Sequence, residues 1–478
     1  MNRSGVLAFI FSVLALMGIA WAVFPASGVR MAGRTWRFLS READLEKMSE
    51  DVPDVEAAIQ SISEADSASL SFCREFIRSN PARIYFPGDD YTWLDGVFES
   101  FETALRDSAT RRIAYYGDSQ IEMDRMSMNL RTALQERFGG SGTGIFPAMS
   151  NVPSASVFHN AEGSILHYTM YGDSTTRRAP HRRYGVMAQF CEVHGPSAVT
   201  FRAPAQRTTP ENVRQFSKVS VLLAAKAGYG IRTKLQVDTF KLLPQTVPAG
   251  QKGVRLLSWD LPRPAKKGTI RFDGKGEVYG IMLDDAAGGI AVDNMPLRGS
   301  SGTEFTSIDR ASIGDAIRLG DTRLLILQFG GNSMPYLRNE KRISDYMDQL
   351  RRQLDYLHSV APDSKILFIG PSDMCRDSDG RILSYKRLPE VVDSLRNLAL
   401  SHGDAYWDIF HIMGGSGSMK QWVAHNPPLA GQDYVHFTPA GADIMGRKLA
   451  DAILLYYDLY RLRRELGGEA ADEFLRSE

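Results

Sequence analysis

Cysteine is scarce. Cys73, Cys191 and Cys375 are the three in 478 residues. An odd, widely spaced set excludes a disulfide-stapled scaffold, permits one bridge at most without selecting the pair, and offers no zinc-ligand spacing. An excess of charge of one sign is also lacking, because 56 basic residues balance 56 acidic ones. A chain built to hold nucleic acid would show a basic surplus. Internal repeats and low-complexity tracts are missing too. With 43% hydrophobic residues and only 22 prolines, the chain is neither fibrous nor largely disordered, and its length allows about two to four domains.

Long apolar runs are absent but for one, Val6 to Phe24, which follows a short segment containing Arg3. It approaches the roughly 20 residues needed to cross a bilayer as a helix and exceeds the about 7–15 of a cleavable signal's apolar core. Ala20-Trp21-Ala22 offers a small-x-small cleavage site. Residues 1–28 are therefore expected to be a signal anchor or signal peptide. The rest of the chain would lie outside the cytoplasm, anchored in the cell envelope (at an inner membrane, facing the periplasm) or secreted after cleavage. The membrane is the only partner this implies besides a substrate.

Residues 29–110 read as helical and charged, with Leu45, Met48, Val55, Ala58 and Ile62 at mixed three- and four-residue spacings. Ile113-Ala114-Tyr115-Tyr116 is a short apolar strand, and Met123, Met126, Leu130, Leu134 and Phe138 then repeat as a helical stripe, stopped by Gly139-Gly140. From 152 to 300 the pattern becomes one of short β runs, Val219 to Ala225, Thr233 to Phe240, Val254 to Trp259, Gly268 to Phe272 and Glu277 to Leu283, divided by turn residues. That predicts an inserted β-sandwich of jelly-roll type. After 301 strands and helices alternate again: Arg323 to Phe329, a helix face over 343–357, Lys365 to Ile369, Val391 to Leu400, Ala405 to Phe410, and a long helix from Pro439. This rhythm predicts a parallel sheet with helices on both faces, in two parts, 111–151 and 301–465. Residues 466–478 are a charged tail.

Ser119 follows Gly117-Asp118 directly after a strand and before a helical stripe. There its hydroxyl would project from the carboxyl edge of the sheet, with its backbone N–H at a helix start, where developing negative charge is favoured. The bland alternative is a capping serine. Gly172-Asp173-Ser174 repeats the tripeptide but runs into Thr175-Thr176-Arg177-Arg178-Ala179-Pro180, which suits a loop. The flanks decide.

A nucleophilic serine needs a base, and histidine is mostly neutral near pH 7. Two histidines have an aspartate three residues earlier, in Asp408…His411 and Asp433…His436. His436, in a loop before the last helix, is preferred with Asp433 as its orienter. Acyl transfer also needs donors for the oxyanion. Asn332, in Phe329-Gly330-Gly331-Asn332 after a strand, is the side-chain candidate; Ser119, Gly299 and Gly144 are backbone candidates. Tyr229, Trp259, Tyr279 and Trp422 are aromatics that either stack on sugar rings or belong to core.

Gly117-Asp118-Ser119, a later glycine loop, Gly330-Gly331-Asn332 and Asp433-Tyr434-Val435-His436 together resemble the four blocks of the SGNH (GDSL) hydrolase superfamily. Tyr116 to Phe146, and Tyr279 to Leu283 leading to Gly299, resemble its peptidoglycan O-acetylesterase branch, which carries a carbohydrate-binding-module-like β-domain between the first two blocks. The resemblance covers about 111–460 and implies a three-layer α/β/α sandwich. It also implies a Ser119–His436–Asp433 triad, an oxyanion hole of Ser119, Gly299 and Asn332 with Gly299 preferred to Gly144, and no metal or organic cofactor. Ser333 departs from the commoner acid after the Asn. The expected activity is removal of O-acetyl groups from peptidoglycan or another acetylated glycan. An O-acetyltransferase using the same triad and a non-catalytic glycan-binding envelope protein are the alternatives.

Overall fold

The computed structural model describes residues 29–31, 34–36, 68–172, 176–204, 209–378, 380–466 and 475. The Val6–Phe24 run and most of the charged tail lie outside these residues, as do Asp173 and Ser174 of the second Gly-Asp-Ser. Among the described residues no helix is long and apolar enough to cross a membrane. The chain divides into two units, residues 1–72 and 73–478. In the first, Val29–Met31 pairs antiparallel with Arg34–Trp36.

The second unit contains a six-stranded sheet in the order Gly289–Pro296, Thr110–Gly117, Thr322–Gln328, Lys365–Ile369, Ala405–Trp407, Ile84–Tyr85. The first five strands are parallel. Both faces are buried, which is why Ile113 to Tyr116 and Leu324 to Leu327 read as unbroken apolar runs. Ala114, Tyr116, Leu325, Leu327, Ile366 and Phe368 share one core with Ile343, Leu350, Leu354 and Leu395 of helices Glu340–Val360 and Leu388–His402. The alternate residues face the other way: Tyr115 meets Met126, and Trp407 donates its indole N–H to Ala82. On that side helix Pro439–Leu466 packs against Ser127–Phe138 and Asp95–Thr103. The result is the expected α/β architecture, with one correction. The sheet is mixed, because Ile84–Tyr85 joins its edge antiparallel to Ala405–Trp407. This segment falls in the region expected to be helical; two residues, one of them the buried Ile84, carry too little periodicity to be read as a strand.

The insertion is all-β and antiparallel. Nine strands join one sheet, with Gly144–Phe146 at its start and Gly276–Asp284 at its end. Ile231, Thr233 and Leu235 point inward while Arg232, Lys234 and Gln236 are exposed, the two-residue period of a half-buried strand. The first and last strands of this sheet are thus Gly144–Phe146 and Gly276–Asp284. Gly289–Pro296 is the parallel neighbour of Thr110–Gly117, with Asp293 opposite Ala114. Locally it looks like one more β run, and nothing in its residues announces which sheet it joins. Buried Arg112 ties the junction, donating to Asp293 (2.9 Å) and to Asp284.

Candidate active site

Two strand ends and the loop before the last helix build the site. After Gly117 the chain turns so tightly that a Cβ there would meet the Ile121 side chain at 3.0 Å. Asp118 caps the turn through the Gln120 N–H (2.9 Å). Ser119 opens a short 3-10 turn, Ser119–Asp124, and the α-helix starts only at Ser127. The expected stripe from Met123 is thus corrected at its first member. Met123 and Asp124 adopt positive φ (60° and 55°), and Met123 is exposed. Arg131 (3.2 Å) and Ser154 (2.9 Å) donate to the Asp124 carboxylate and hold the chain out of helical conformation. Ser119 consequently lacks the full helix dipole expected for it.

His436 reaches Ser119 from the loop before the last helix. The Ser119 hydroxyl lies 2.7 Å from His436 Nε2, and His436 Nδ1 lies 2.7 Å from Asp433 Oδ2. With Nδ1 donating to the carboxylate, Nε2 is left to accept from the serine. Tyr434 at φ 57° folds the intervening chain back, so that Asp433 Oδ1 also accepts the N–H groups of Val435 and His436, both at 3.0 Å. Partial burial works against ionising Asp433, but the bonds from the His436 ring and from these two N–H groups outweigh it and hold the carboxyl below its usual range. The other pair, Asp408 and His411, makes the same contact at 2.8 Å. There the aspartate is fully buried, caps the short helix Ile409–Ile412 and meets Arg396, a structural arrangement.

Asn332 enters from the second strand end, that of Thr322–Gln328. Gly330, at φ 124°, permits the turn after Phe329, and the Asn332 amide donates to the Ser300 carbonyl (3.0 Å) and to Asp118 Oδ2 (3.3 Å). Asp118, Ser119, Gln328, Asn332, Val435 and His436 line one cleft of about 50 Å³. Gly299, at φ 78° and exposed, lies one residue before that Ser300 carbonyl. Gly144 is instead a strand residue paired with Leu283, which removes it as a loop donor. Buried Ser333 lies beside the Tyr346 hydroxyl that donates to the Ser301 carbonyl at 2.8 Å.

Burial raises Asp118 to about 6; the Gln120 N–H bond and His436 pull it down, and Glu122 pushes it up. Of the aromatics, Trp259 and Tyr279 are core, with the Trp259 indole donating to the Leu243 carbonyl (2.8 Å) and the Tyr279 hydroxyl to Glu277 (2.5 Å). Trp422 packs on Phe437 behind the histidine. Tyr229 is exposed, with Lys275 over its ring at 4.2 Å.

Two contacts escaped the sequence reading. Gln120 donates to the Val435 carbonyl (3.2 Å) and accepts from the Phe437 N–H (3.0 Å), one on either side of His436. Glu122 takes a two-pronged bond from Arg298, both arms at 2.6 Å. The only available signal was a polar pair so close behind the serine that it had to be buried with it.

The fold is shared with a solved structure described as a peptidoglycan O-acetylesterase in action, at a TM-score of 0.60 and 23% identity, covering 77% of this chain and 96% of that one. A carbohydrate esterase family 2 enzyme with a carbohydrate-binding domain, from Corynascus thermopiles (Myceliophthora fergusii), aligns at 13% identity over 62% of this chain and all of its own (100%), with a TM-score of 0.27. No curated protein matches the chain. Residues 271–444 match the model of the GDSL-like Lipase/Acylhydrolase family, a span that includes Asn332, Asp433 and His436 while Ser119 lies before it, across the insertion. Over residues 271–444 the chain is thus similar to the GDSL-like Lipase/Acylhydrolase family, within an α/β fold interrupted by an antiparallel β-region.

Proposed function

We propose that this protein is a serine esterase that removes O-acetyl groups from a cell-envelope or extracellular polysaccharide, with Ser119 as nucleophile, His436 as base and Asp433 as its orienter. The observation that carries the reading is the 2.7 Å contact between Ser119 Oγ and His436 Nε2, at the mouth of a cleft on the carboxyl edge of the sheet. His436 takes the hydroxyl proton as Oγ attacks the acetyl carbonyl. The oxyanion is stabilised by the N–H groups of Ser119 and Gly299 and by the Asn332 amide, which exchanges its bond to Asp118 or Ser300 for the new charge. His436 then protonates the departing sugar oxygen. Water, deprotonated by the same imidazole, attacks the acetyl-serine, and acetate leaves with the serine proton restored.

A glycan substrate is supported by the inserted β-region and by the fold shared with a structure described as a peptidoglycan O-acetylesterase. An exported chain, delivered by the Val6–Phe24 segment, would meet such polymers in the envelope. The test is hydrolysis of an aryl acetate and acetate release from O-acetylated peptidoglycan, with labelling of Ser119 by a fluorophosphonate. Ser119→Ala is expected to lose about 10⁴-fold or more in turnover and all labelling. Unchanged turnover in that variant sinks the proposal.

A further inference from the structure

The opposite edge of the sheet holds a second cluster of ligand-type side chains. Helix Glu340–Val360 presents Asp355 and His358 one turn apart. His402 ends the next helix, Gly403 turns the chain at φ 89°, and Asp404 stands immediately before strand Ala405–Trp407. It therefore lies at the amino end of the strands, whereas Ser119 and Asn332 follow carboxyl ends. The Trp93 indole pins the turn by donating to the Gly403 carbonyl (3.0 Å).

The Asp404 carboxylate is fully buried, and each of its oxygens faces a different imidazole: His358 Nε2 at 2.8 Å and His402 Nδ1 at 3.1 Å. The two rings lie 5.1 Å apart, 24° from parallel, and the three donor atoms all fall within 4.8 Å of one another. The far nitrogen of His402 is also engaged, Nε2 lying 2.9 Å from Asp355 Oδ1.

We propose that His358, His402 and Asp404 bind one divalent transition-metal ion, zinc by chemical preference, with Asp355 orienting His402 from behind. Two imidazole nitrogens and one carboxylate oxygen are the donors that suit zinc, and a water would complete a tetrahedron. Metal–ligand bonds of about 2.0–2.1 Å imply donors about 3.3 Å apart. The Asp404–imidazole separations, 2.8 and 3.1 Å to its two oxygens, open slightly, and the donor set, which spans up to 4.8 Å, draws in around the ion. Asp355 fits the second role because a ligating histidine usually gives its other N–H to a carboxylate. Charge also balances: the two aspartates offset a divalent cation, with both imidazoles neutral and the proton on His402 Nδ1 released to solvent on binding. The site is separate from the Ser119 cleft and would clamp two helix ends to the strand next to the sheet edge, Ala405–Trp407.

The full chain, stripped with a chelator and dialysed against zinc, is expected to retain one equivalent by elemental analysis. With cobalt(II) it is expected to give a tetrahedral visible band. His358→Ala, whose side chain is 38% exposed and tolerates truncation, and His402→Gln both lose the equivalent and the band. Asp355→Asn weakens binding by about 10–100-fold, and Ser119→Ala retains the equivalent. The inference is overturned if the wild type retains no zinc and gives no cobalt band, or if His358→Ala binds as the wild type does. The cluster is then a plain network of histidine–aspartate ion pairs.

Discussion

Gln120 and Phe437 are joined across 317 positions of sequence by a buried bond of 3.0 Å, side-chain oxygen to backbone N–H. Since the same side chain also donates to the Val435 carbonyl, the residue beside the proposed nucleophile holds the chain on both sides of the proposed base. Gln120→Ala removes both ties without touching Ser119, His436 or Asp433. A misplacement near 1 Å costs about 10²-fold in rate, so kcat on an aryl acetate is expected to fall by about that factor while KM changes little. Steady-state kinetics check this; a rise in KM at constant kcat would assign Gln120 to substrate binding instead.

Glu122 and Arg298 tie the serine turn to the Gly299 loop. Arg298 is half exposed but Glu122 is buried, so Arg298→Ala leaves a carboxylate without its partner. A double-mutant cycle with Glu122→Gln is expected to give a coupling of about 1–3 kcal/mol in unfolding free energy. The single Arg298→Ala change is expected to lower kcat through the loosened Gly299 N–H.

Much of this site was legible beforehand because its residues sit at strand ends that announce themselves. Ile113 to Tyr116 and Leu324 to Leu327 are buried on both sheet faces, so their apolar runs are unambiguous, and Ser119 and Asn332 follow directly. The strand Phe158–Thr169 was invisible for the opposite reason: most of its residues are exposed or half-buried and polar, and it is held by pairing with Gln189–Arg202, a partner that no local pattern names. Met123 shows the converse error, a residue at helical spacing whose φ is set by what binds Asp124 next to it. Gln120 and Glu122 were illegible because their partners are more than 170 residues away.

Asp118 supplies a pH dependence. Burial raises it from 3.8 to about 6, so between those values the native state holds more protons than the unfolded chain. Its contribution to stability is therefore complete below about pH 4 and is lost as pH rises through 6, on the order of 3 kcal/mol in all. Asp118→Asn cannot ionise. Its stability relative to the wild type is expected to climb between pH 4.5 and 7.5, read from urea midpoints at the two pH values; a constant difference would place the titration elsewhere.

Arg112 tests how the insertion is mounted. Its guanidinium, 4% exposed, meets Asp293 and Asp284, one in the parallel sheet and one in the last strand of the β-region. Asp293 Oδ1 also accepts the Ile145 N–H at the insertion's start (2.8 Å). Burial by itself pushes Asp284 up, and Arg112 is the counter-charge that opposes it. Arg112→Leu leaves two buried carboxylates facing each other, which costs about 3–5 kcal/mol where a buried pair loses one member. Arg112→Leu combined with Asp284→Asn and Asp293→Asn removes the charges together and is expected to recover a substantial part of that loss. Chemical denaturation of the three proteins measures it. If the single variant unfolds at the wild-type midpoint, the cluster is not what fastens the β-region to the sheet, and the strand pairing of Gly289–Pro296 with Thr110–Gly117 suffices.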